Sequence, residues 1–540
     1  MDGITDRDLV VDRFLDNVGE RGAKPALWHK DDDEWTAIEW SDYGQMAREF
    51  AGALIASGYE AGDCVSISGY TCPKWVISDL GAMMARAVPV GVYYTNSPAE
   101  LGYIARHSES RIVVARNREH WKKVDEVRDE LPDLERVVVM EGGDEIDDPL
   151  VVSWDEFLAE GREHLDEVEK RFREIEPDDI GTMIYTSGTT GDPKGVMLSH
   201  DNLAFTADVA RQILGGLEEG DCMVSYLPLS HIAEQMFTIH LAVTFGYPIW
   251  FADDVYNVLD ALKAARPTFF FGVPRIWEKF KSKLESRLEE ATGWKAKMVD
   301  WCRDVGREAG YERIQKGEVR GLLGWKYALA DKLFFSKLKG ELGLDRLRMA
   351  ISAAAPIGKD VLEFFLSCDI TIREVYGQSE DCGPTTVNMP EPGKTKLGTV
   401  GVPIPGVEVE IADEDIYDGD PEGEILVKGR NVFQGYYKNQ EATDETLVDG
   451  WLHSGDIGRF DDDGFLEITG RKKQIIITAG GKNVAPPKIE GPLKEIDGVG
   501  HAVVIGDGRK FLSALIALDE DRIDSLAEQH GVEPEPESLV

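Results

Sequence analysis

The 540-residue sequence lacks the positive charge that a nucleic-acid-binding protein needs. It carries 100 Asp and Glu against 59 Lys and Arg, a net charge of −41. Because nucleic acid phosphates are bound by basic surfaces, nucleic acid is excluded as a partner. Such acidity is typical of proteins in concentrated salt, where a Debye length of ~3 Å at 1 M screens self-repulsion. An ordinary acidic protein is the alternative interpretation.

Paired cysteines and long apolar runs are also missing. Six scattered cysteines form no CxxC pair, which argues against a disulfide framework or a zinc site and favours a reducing compartment. The longest mostly apolar stretch, 237–252, is interrupted by His240 and Pro248 and is too short to span a bilayer. The acidic N-terminus does not resemble a signal peptide. We therefore expect a cytoplasmic protein, with any membrane contact peripheral and at the inner surface.

Helical and strand-like patterns alternate from residue 8 to about residue 176, which indicates parallel sheets covered by helices. A chain of this length exceeds one ordinary core, so two or more domains are expected. We predict an α/β fold with a large multi-subdomain N-terminal region, 1–470, of parallel-rich sheets and helices. A small α+β C-terminal lid is predicted over 471–540.

The segment 275–348 differs from the rest in charge and aromatic content. It holds 18 Lys and Arg against 12 Asp and Glu, a net of +6, and it is rich in Trp and Phe at mostly helical intervals. Basic, aromatic, amphipathic helices are typical of a membrane-surface contact. The alternative is a helical hairpin that packs on the core.

The strongest local signal is YTSGTTGDPKG at 185–195, directly after an apolar strand. Glycines let the backbone approach an anion, hydroxyls donate hydrogen bonds and a lysine adds charge. The residues concerned are Gly188 and Gly191, then Thr186, Ser187, Thr189 and Thr190, and finally Lys194. We predict a phosphate-binding loop, different from the P-loop, whose Gly-Lys-Ser/Thr sequence is missing at the required spacing.

This loop resembles the signature of the adenylate-forming superfamily, which includes acyl-CoA synthetases, luciferases and peptide-synthetase adenylation domains. Six further motifs follow in the family's order: LPLSHIAEQ, FGVPRIWEKF, SAAAPI, EVYGQSE, WLHSGDIG and TGRKKQIIITAGGKNVAPPKIE. The similarity runs from about residue 25 to residue 519. NSPAELGYIARHSESRIVVA, the helical insert and AGGKNVAP are similar to the long-chain, bubblegum-type branch. The resemblance implies an AMP-forming long-chain fatty acid:CoA ligase that uses ATP, Mg²⁺ and coenzyme A.

The resemblance also implies roles for individual residues of the nucleotide site. Glu380 and Thr186 would hold Mg²⁺, a cation commonly bound by one or two carboxylates plus substrate phosphates. Ser379 would donate to the α-phosphate, although the family usually has Thr there. The remaining nucleotide-site residues are Tyr376 as a flat face for adenine, Gly377 for close approach, Gln378, Ala354 and Ala355 beside the adenine, Asp456 for the ribose hydroxyls and Arg471 for ribose or phosphate.

Other expected roles concern the acyl group and the second half-reaction. His231 would lie near the acyl carboxylate, although a lone histidine is as often structural. Lys473 matches the hinge about which the small domain turns. Gly480, Gly481 and Lys482 would line the coenzyme A channel.

One family motif, a lysine near the C-terminus, has no match after Asp519. The sequence therefore predicts either a fragment or a weakened adenylation step. A nucleotide- or acyl-binding module is the alternative from a different class, and a synthetase for medium-chain or aromatic acids is the alternative within the enzymes. Chain length of the acid and oligomeric state are not indicated.

Overall fold

The computed structural model describes residues 7–531 except 32, 187–191, 217, 219, 253, 255–256, 413–415, 417–421, 495, 497, 520–522, 524–525 and 528–530. Its strands are β1 (Pro25–Asp31), β2 (Glu34–Glu39), β3 (Cys64–Ser68), β4 (Val88–Val92), β5 (Ile112–Ala115), β6 (Arg136–Val139), β7 (Val151–Ser153), β8 (Ile180–Thr186), β9 (Lys194–Ser199), β10 (Met223–Ser225), β11 (Ile249–Phe251), β12 (Phe269–Gly272), β13 (Met349–Ser352), β14 (Ile372–Tyr376), β15 (Thr386–Val387), β16 (Val402–Pro403), β17 (Val407–Ile411), β18 (Gly423–Gly429), β19 (Gly435–Tyr436), β20 (Leu447–Val448), β21 (Trp451–Phe460), β22 (Leu466–Arg471), β23 (Ile476–Ile477), β24 (Asn483–Val484), β25 (Val499–Ile505) and β26 (Ser513–Leu518).

The α-helices alternate with these strands through most of the chain. They are α1 (Val10–Arg21), α2 (Trp40–Ala56), α3 (Pro73–Met84), α4 (Pro98–His107), α5 (Arg118–Val127), α6 (Trp154–Gly161), α7 (Leu165–Arg173), α8 (His200–Leu214), α9 (Ile232–Gln235), α10 (Leu241–Phe245), α11 (Val258–Ala265), α12 (Pro274–Glu289), α13 (Trp294–Lys316), α14 (Gly321–Ala330), α15 (Ser336–Leu342), α16 (Lys359–Ser367), α17 (Gln440–Thr446) and α18 (Pro487–Lys494). Two π-helical segments, Met236–His240 and Asp331–Phe335, connect α9 to α10 and α14 to α15.

Two large sheets carry most of the strands. One has the order β19-β9-β8-β4-β3-β5-β6-β7, and the other β16-β15-β14-β13-β12-β10-β11-β1-β2. Their central strands pair in parallel, for example β3 with β4 and β5, and β12 with β13. All five residues of β3 are buried, as expected for a central parallel strand covered on both faces. The predicted parallel-rich α/β fold is therefore confirmed.

Three smaller sheets follow the large ones. β17, β18, β21, β20 and β22 form an antiparallel sheet, while β23 pairs with β24 and β25 with β26. The predicted boundary at 470 falls at the end of β22, directly before the turn Lys472–Gln474. The division into domains 1–470 and 471–540 stays a prediction.

Local sequence signals explain where several helices begin. Ser97 accepts a hydrogen bond from the backbone N–H of Glu100, and the Glu100 carboxylate accepts one from the Ser97 backbone N–H at 2.8 Å. Pro98 occupies the first turn of α4, where its missing N–H costs nothing. Ser153 and Glu156 form the same capping box at α6.

The basic segment 275–348 is helical, as predicted, but its aromatic residues are divided between core and surface. Trp277, Phe334 and Phe335 are buried in a core between the nine-stranded sheet and α11–α16. Trp294 and Trp325, in contrast, are 70% and 81% exposed. None of the helices in the described ranges is long and apolar enough to cross a bilayer. The six cysteines are buried and free.

Helix α2 packs against α6 at a point where two glycines meet. A Cβ on Gly161 would lie 1.8 Å from the backbone oxygen of Glu49, and one on Gly52 would lie 2.3 Å from the backbone oxygen of Gly161. Backbone atoms cannot move away without separating the helices. Both positions therefore need glycine for this close packing.

We predict that Gly161→Ala lowers the free energy of unfolding by about 1–3 kcal/mol, because the added methyl group overpacks the α2–α6 contact. Gly19→Ala is the matched control, since a Cβ at this helical glycine meets nothing within 4 Å. The control is expected to be neutral or stabilising. Urea denaturation measures both, and equal effects of the two substitutions would contradict the packing argument.

Candidate active site

A cavity of about 580 Å³ opens at the carboxyl ends of strands from both large sheets. Thr186 ends β8, Ala353 and Ala354 follow β13, and Gly377 follows β14, and all four residues line the cavity. In open α/β sheets, ligands bind at the carboxyl ends of parallel strands, where loops rather than helices present side chains. Ala354 adopts a left-handed backbone conformation, φ 72°, which turns the chain away from the sheet at the cavity wall.

The cavity has walls of two chemical kinds. The polar wall comes from loops after β8 and β14 and from the region around β21 and β22. It includes Thr186, Lys194, Gln378, Ser379, Glu380, Glu424, His453, Ser454, Asp456, Arg471, Lys472 and Lys473.

The apolar wall comes from α8, the π-helical segment Met236–His240 and the strands of the nine-stranded sheet. It includes Val209, Ala210, Ile213, Leu214, Met236, Phe237, Leu241, Phe271, Met349, Ile351, Val375, Val387 and Ile404. The cavity can therefore enclose a molecule with a polar, anionic part and an apolar part.

The carboxylate of Asp456 on the polar wall is held by three side chains. Tyr376 Oη and Gln378 Nε2 donate to Asp456 Oδ2 at 3.0 and 2.6 Å, and Arg471 Nε lies 2.7 Å from Oδ1. Asp456 is 3% exposed, and these donors compensate for its removal from water. Gln378 also donates to the Ser454 carbonyl at 2.9 Å, which fixes the loop beside Asp456.

The turn that presents Ser379 and Glu380 is held by a buried carboxyl group, Asp381. Asp381 Oδ1 accepts from the Gln378 N–H at 2.6 Å, and Oδ2 accepts from the Thr385 hydroxyl. Burial raises the pKa of Asp381 to about 8. Packing inside the protein also requires glycine at position 377, because a Cβ on Gly377 would lie 1.3 Å from the Gly383 carbonyl oxygen.

Glu380 is oriented by a tyrosine from β19. Tyr436 Oη donates to Glu380 Oε1 at 2.8 Å, and Lys194 Nζ lies 4.6 Å from the centre of the Tyr436 ring. In the described part of the chain, no hydrogen bond engages the second Glu380 oxygen, and no cluster of three His, Cys, Asp or Glu side chains could hold a metal. One carboxylate and the Thr186 hydroxyl in the lining of the same cavity fit Mg²⁺, which keeps several waters and substrate oxygens.

His231 stands at the N-terminus of α9 and lines the cavity. Its Nδ1 accepts from the Ala233 N–H at 3.1 Å, so the neutral ring carries its proton on Nε2. Burial lowers the pKa of His231, which favours this neutral form. Behind it, burial raises the pKa of Glu234 to about 7, while Ser225, Thr238 and the Tyr226 N–H donate to a single oxygen of that carboxyl group.

A second carboxylate, Glu424 on β18, connects the cavity to the turn after β22. Lys472 Nζ and His453 Nδ1 lie 3.0 and 3.1 Å from its Oε2, and the Gly455 N–H donates to Oε1 at 2.9 Å. Burial alone would raise the pKa of Glu424, but these donors lower it below its usual value. Glu424 is thus a stable anion that positions the lysine-rich turn.

The family comparison agrees with this geometry. The AMP-binding enzyme family matches residues 14–437, more than three quarters of the chain.

This chain belongs to the AMP-binding enzyme family. 

Proteins similar to this chain include two vertebrate relatives and a solved structure. Long-chain-fatty-acid–CoA ligase ACSBG2 of Xenopus laevis is 40% identical over 521 residues, 94% of this chain and 68% of the relative. The protein of the same name from Gallus gallus is 39% identical over 521 residues, 94% of this chain and 66% of the relative. The chain thus spans about two thirds of the length of these relatives.

O-succinylbenzoate coenzyme A synthetase (MenE) from Bacillus subtilis, in complex with ATP and magnesium ion, has a TM-score of 0.69 at 22% identity, covering 94% of this chain and 89% of that chain. At that identity the likeness supports the fold alone. The family match and the two relatives confirm the resemblance to the adenylate-forming superfamily that the motifs indicate.

The cavity brings together most of the residues that the sequence singled out. The cavity is lined by Thr186, Lys194, His231, Ala354, Gly377, Gln378, Ser379, Glu380, Asp456, Arg471 and Lys473. Their roles toward ligands stay predictions. Ser187, Gly188, Thr189, Thr190 and Gly191 lie outside the described residues.

A few predicted residues lie outside the cavity lining. Ala355 is exposed beside Ala354, and Tyr376 is buried with its hydroxyl on Asp456. Gly480, Gly481 and Lys482 form the exposed tip of the β23–β24 hairpin, where the Thr478 N–H donates to the Lys482 carbonyl at 3.0 Å. Their predicted contacts with adenine and coenzyme A stay predictions.

Sequence reasoning missed several residues that shape the site. His453 stands within the quoted motif WLHSGDIG, so its position was available as a signal. Glu424, Tyr436 and Asp381 carried no such signal, because their partners are distant in sequence or are ordinary polar residues.

Strand β14, which ends at the site, contains another buried carboxyl group. Glu374 Oε2 accepts from the Gly398 N–H at 2.9 Å, and burial raises the pKa of Glu374 to about 8. Between its ordinary pKa and about 8, the folded chain retains a proton that the unfolded chain has lost. The contribution of this group to stability therefore falls as pH rises through that interval.

We predict that Glu374→Gln is close to wild type at pH 5 but more stable at pH 8, by on the order of 1–3 kcal/mol. Glutamine resembles the protonated acid and can accept the same hydrogen bond. Glu408→Gln, at an exposed position of β17, is the matched control. Denaturant unfolding at both pH values measures the difference, and a pH-independent effect of Glu374→Gln would contradict the assignment.

Proposed function

We propose that this chain is an AMP-forming long-chain fatty acid:CoA ligase. The observation that carries the proposal is that one cavity has both a polar and an apolar wall. The apolar wall is built from α8, the π-helical segment Met236–His240 and the nine-stranded sheet, and the polar wall holds Lys194, Ser379, Glu380 and Asp456. A nucleoside triphosphate needs the polar environment, and the long tail of a fatty acid needs the apolar one next to it. The relatives named as long-chain fatty acid ligases support the same conclusion.

Asp456 is placed to bind the nucleotide ribose, because a carboxylate can accept from both ribose hydroxyls. Its protein donors orient the carboxylate, and Arg471 adds positive charge beside it. Ser379, Thr186 and Lys194 supply hydroxyl and ammonium donors for the phosphates, together with the loop 187–191. Gln378 acts by holding Asp456 and the Ser454 carbonyl in place.

Glu380, with Thr186, would hold Mg²⁺, which when bound supplies positive charge to the phosphate oxygens. Tyr436 keeps Glu380 in position through its hydrogen bond. The ammonium group of Lys194 lies over the ring of the same tyrosine, 4.6 Å from its centre, and we place its charge beside the phosphates.

The fatty acid is proposed to lie along the apolar wall, with its carboxylate toward His231. The neutral imidazole has Nε2–H free to donate, since Nδ1 accepts from the backbone. The carboxylate oxygen then attacks the α-phosphorus of ATP, a P–O bond forms and pyrophosphate leaves. Positioning and electrostatic stabilisation carry this step, so no protein nucleophile is needed.

In the second half-reaction, the thiol of coenzyme A attacks the acyl carbonyl and AMP leaves. We propose Lys473 as the hinge for the lid over 471–540, and Gly480, Gly481 and Lys482 as part of the coenzyme A channel after rotation. The Lys472–Glu424 contact at 3.0 Å precedes Lys473 directly and would hold the lid in the arrangement seen.

The proposal is tested by pyrophosphate release with ATP, Mg²⁺ and palmitate. Glu380→Gln is expected to reduce release by about a hundred-fold or more, because it removes the carboxylate beside the transferring phosphoryl group. Glu445→Gln removes the same charge from an exposed position at the cavity and serves as the matched control. Control activity should stay within a few-fold of wild type.

Other outcomes separate the alternatives. Release that requires benzoate or a medium-chain acid instead of palmitate would favour a synthetase for those acids. ATP binding without acid-dependent release would identify a binding module. Equal loss in both variants would contradict the role of Glu380.

We also propose that the acidic surface adapts the protein to concentrated salt. With a net charge of −41, self-repulsion destabilises the folded state until salt screens it. The melting temperature is expected to rise from ~0.1 M to ~2 M KCl, over which the Debye length falls from about 10 Å to below 3 Å. A melting temperature that is flat or falls over this range would exclude the adaptation.

A further inference from the structure

Helix α14 exposes a continuous apolar stripe. Leu322, Trp325 and Leu329 are 74%, 81% and 52% exposed. Their spacing of three and four residues places them on one face of the helix. Tyr327 anchors the helix from another face, where its hydroxyl donates to Asp369 Oδ2 at 3.0 Å, and Ala330 is buried. The stripe is therefore presented outward by a helix that is fixed to the core.

The charge around this stripe is opposite to that of the rest of the protein. Residues 319–340 hold five Lys and Arg against one Asp, whereas the whole chain has a net charge of −41. Lys326 and Lys332 are exposed, and no ion pair engages either of them in the described part of the chain. A surface that is locally basic within so acidic a protein is complementary to an anionic partner.

An amphipathic helix with Trp and Leu on one face and lysines beside them has the composition of an interfacial membrane helix. Tryptophan prefers the level of the lipid headgroups, and lysine stems reach from apolar surface toward phosphate. A second copy of the chain fits less well, because three side chains on one convex helix are far from the roughly 1,200–2,000 Å² that a stable interface buries. The high negative charge of each copy also opposes self-association.

We infer that the exposed face of α14, with Leu322, Trp325, Lys326 and Leu329, docks the protein on the surface of an anionic lipid bilayer, together with Lys332 of the π-helical segment that follows. The apolar stripe inserts at headgroup depth, and the lysines contact lipid phosphates. The remainder of the acidic surface is repelled, so the bilayer is met by this face. This contact is separate from the cavity and does not depend on the proposed reaction.

Flotation of the full chain with lipid vesicles tests the inference. The chain should bind vesicles of equal parts phosphatidylcholine and phosphatidylglycerol at ~0.1 M salt, and bind pure phosphatidylcholine several-fold more weakly. Combined Leu322→Ser, Trp325→Ser and Leu329→Ser substitutions should lower the partition coefficient about ten-fold or more. Lys326→Glu with Lys332→Glu should remove the preference for the anionic lipid.

The matched control is a second exposed apolar set on the β25–β26 hairpin, Phe511→Ser, Leu515→Ser and Ile516→Ser, at 70%, 65% and 50% exposure. This variant should float like wild type. Melting temperatures of all variants show whether each is folded. Absence of flotation by folded wild type, or equal losses in the α14 and hairpin variants, would overturn the inference. Loss of an oligomer in the α14 variant, with no change in flotation, would instead identify a protein interface.

Discussion

The carboxylate of Asp456 is the contact on which the arrangement of the site depends. Tyr376 and Gln378 reach it from the end of β14, and Arg471 reaches it from the end of β22. These strands belong to different sheets, so one buried anion joins the nine-stranded sheet to the smaller antiparallel sheet. A buried charge requires its donors, because breaking such a set leaves an uncompensated ion. This contact and the one between Lys472 and Glu424 together position the lysine-rich turn.

The acidic groups around the cavity are divided between neutral and ionised forms by their surroundings. Burial raises the pKa values of Asp381 and Glu234, and these groups support the structure behind the cavity. Glu424 is kept ionised by its donors, in particular Lys472 and His453. The negative charge that reaches the cavity is thus confined to a few positioned carboxylates. Arg471 and Lys472 pair with two of these carboxylates, Asp456 and Glu424, while Lys194 and Lys473 also line the cavity.

The protein's charge is as unevenly distributed on its surface as in its site. A strongly acidic chain contains one basic helical segment, and that segment divides its aromatic residues between core and solvent. Trp277 and Phe335 pack beneath the nine-stranded sheet, where they stabilise the insert. Trp325 faces outward on α14. One amphipathic segment can therefore be a packed part of the fold and present a surface at the same time.

The sequence by itself determined the α/β class and most of the cavity residues, and it predicts the phosphate-binding loop. It did so because glycine, hydroxyl and lysine spacing follows directly from the chemistry of phosphate binding, and because hydrophobic periodicity follows from sheets and helices. Only the tertiary structure decided that Tyr436 holds Glu380 and that Glu424 holds Lys472, since those partners lie 56 and 48 residues apart. It also decided which face of the basic helices is covered. Periodicity reveals that a helix has two faces, but packing against the rest of the chain selects the one that meets solvent.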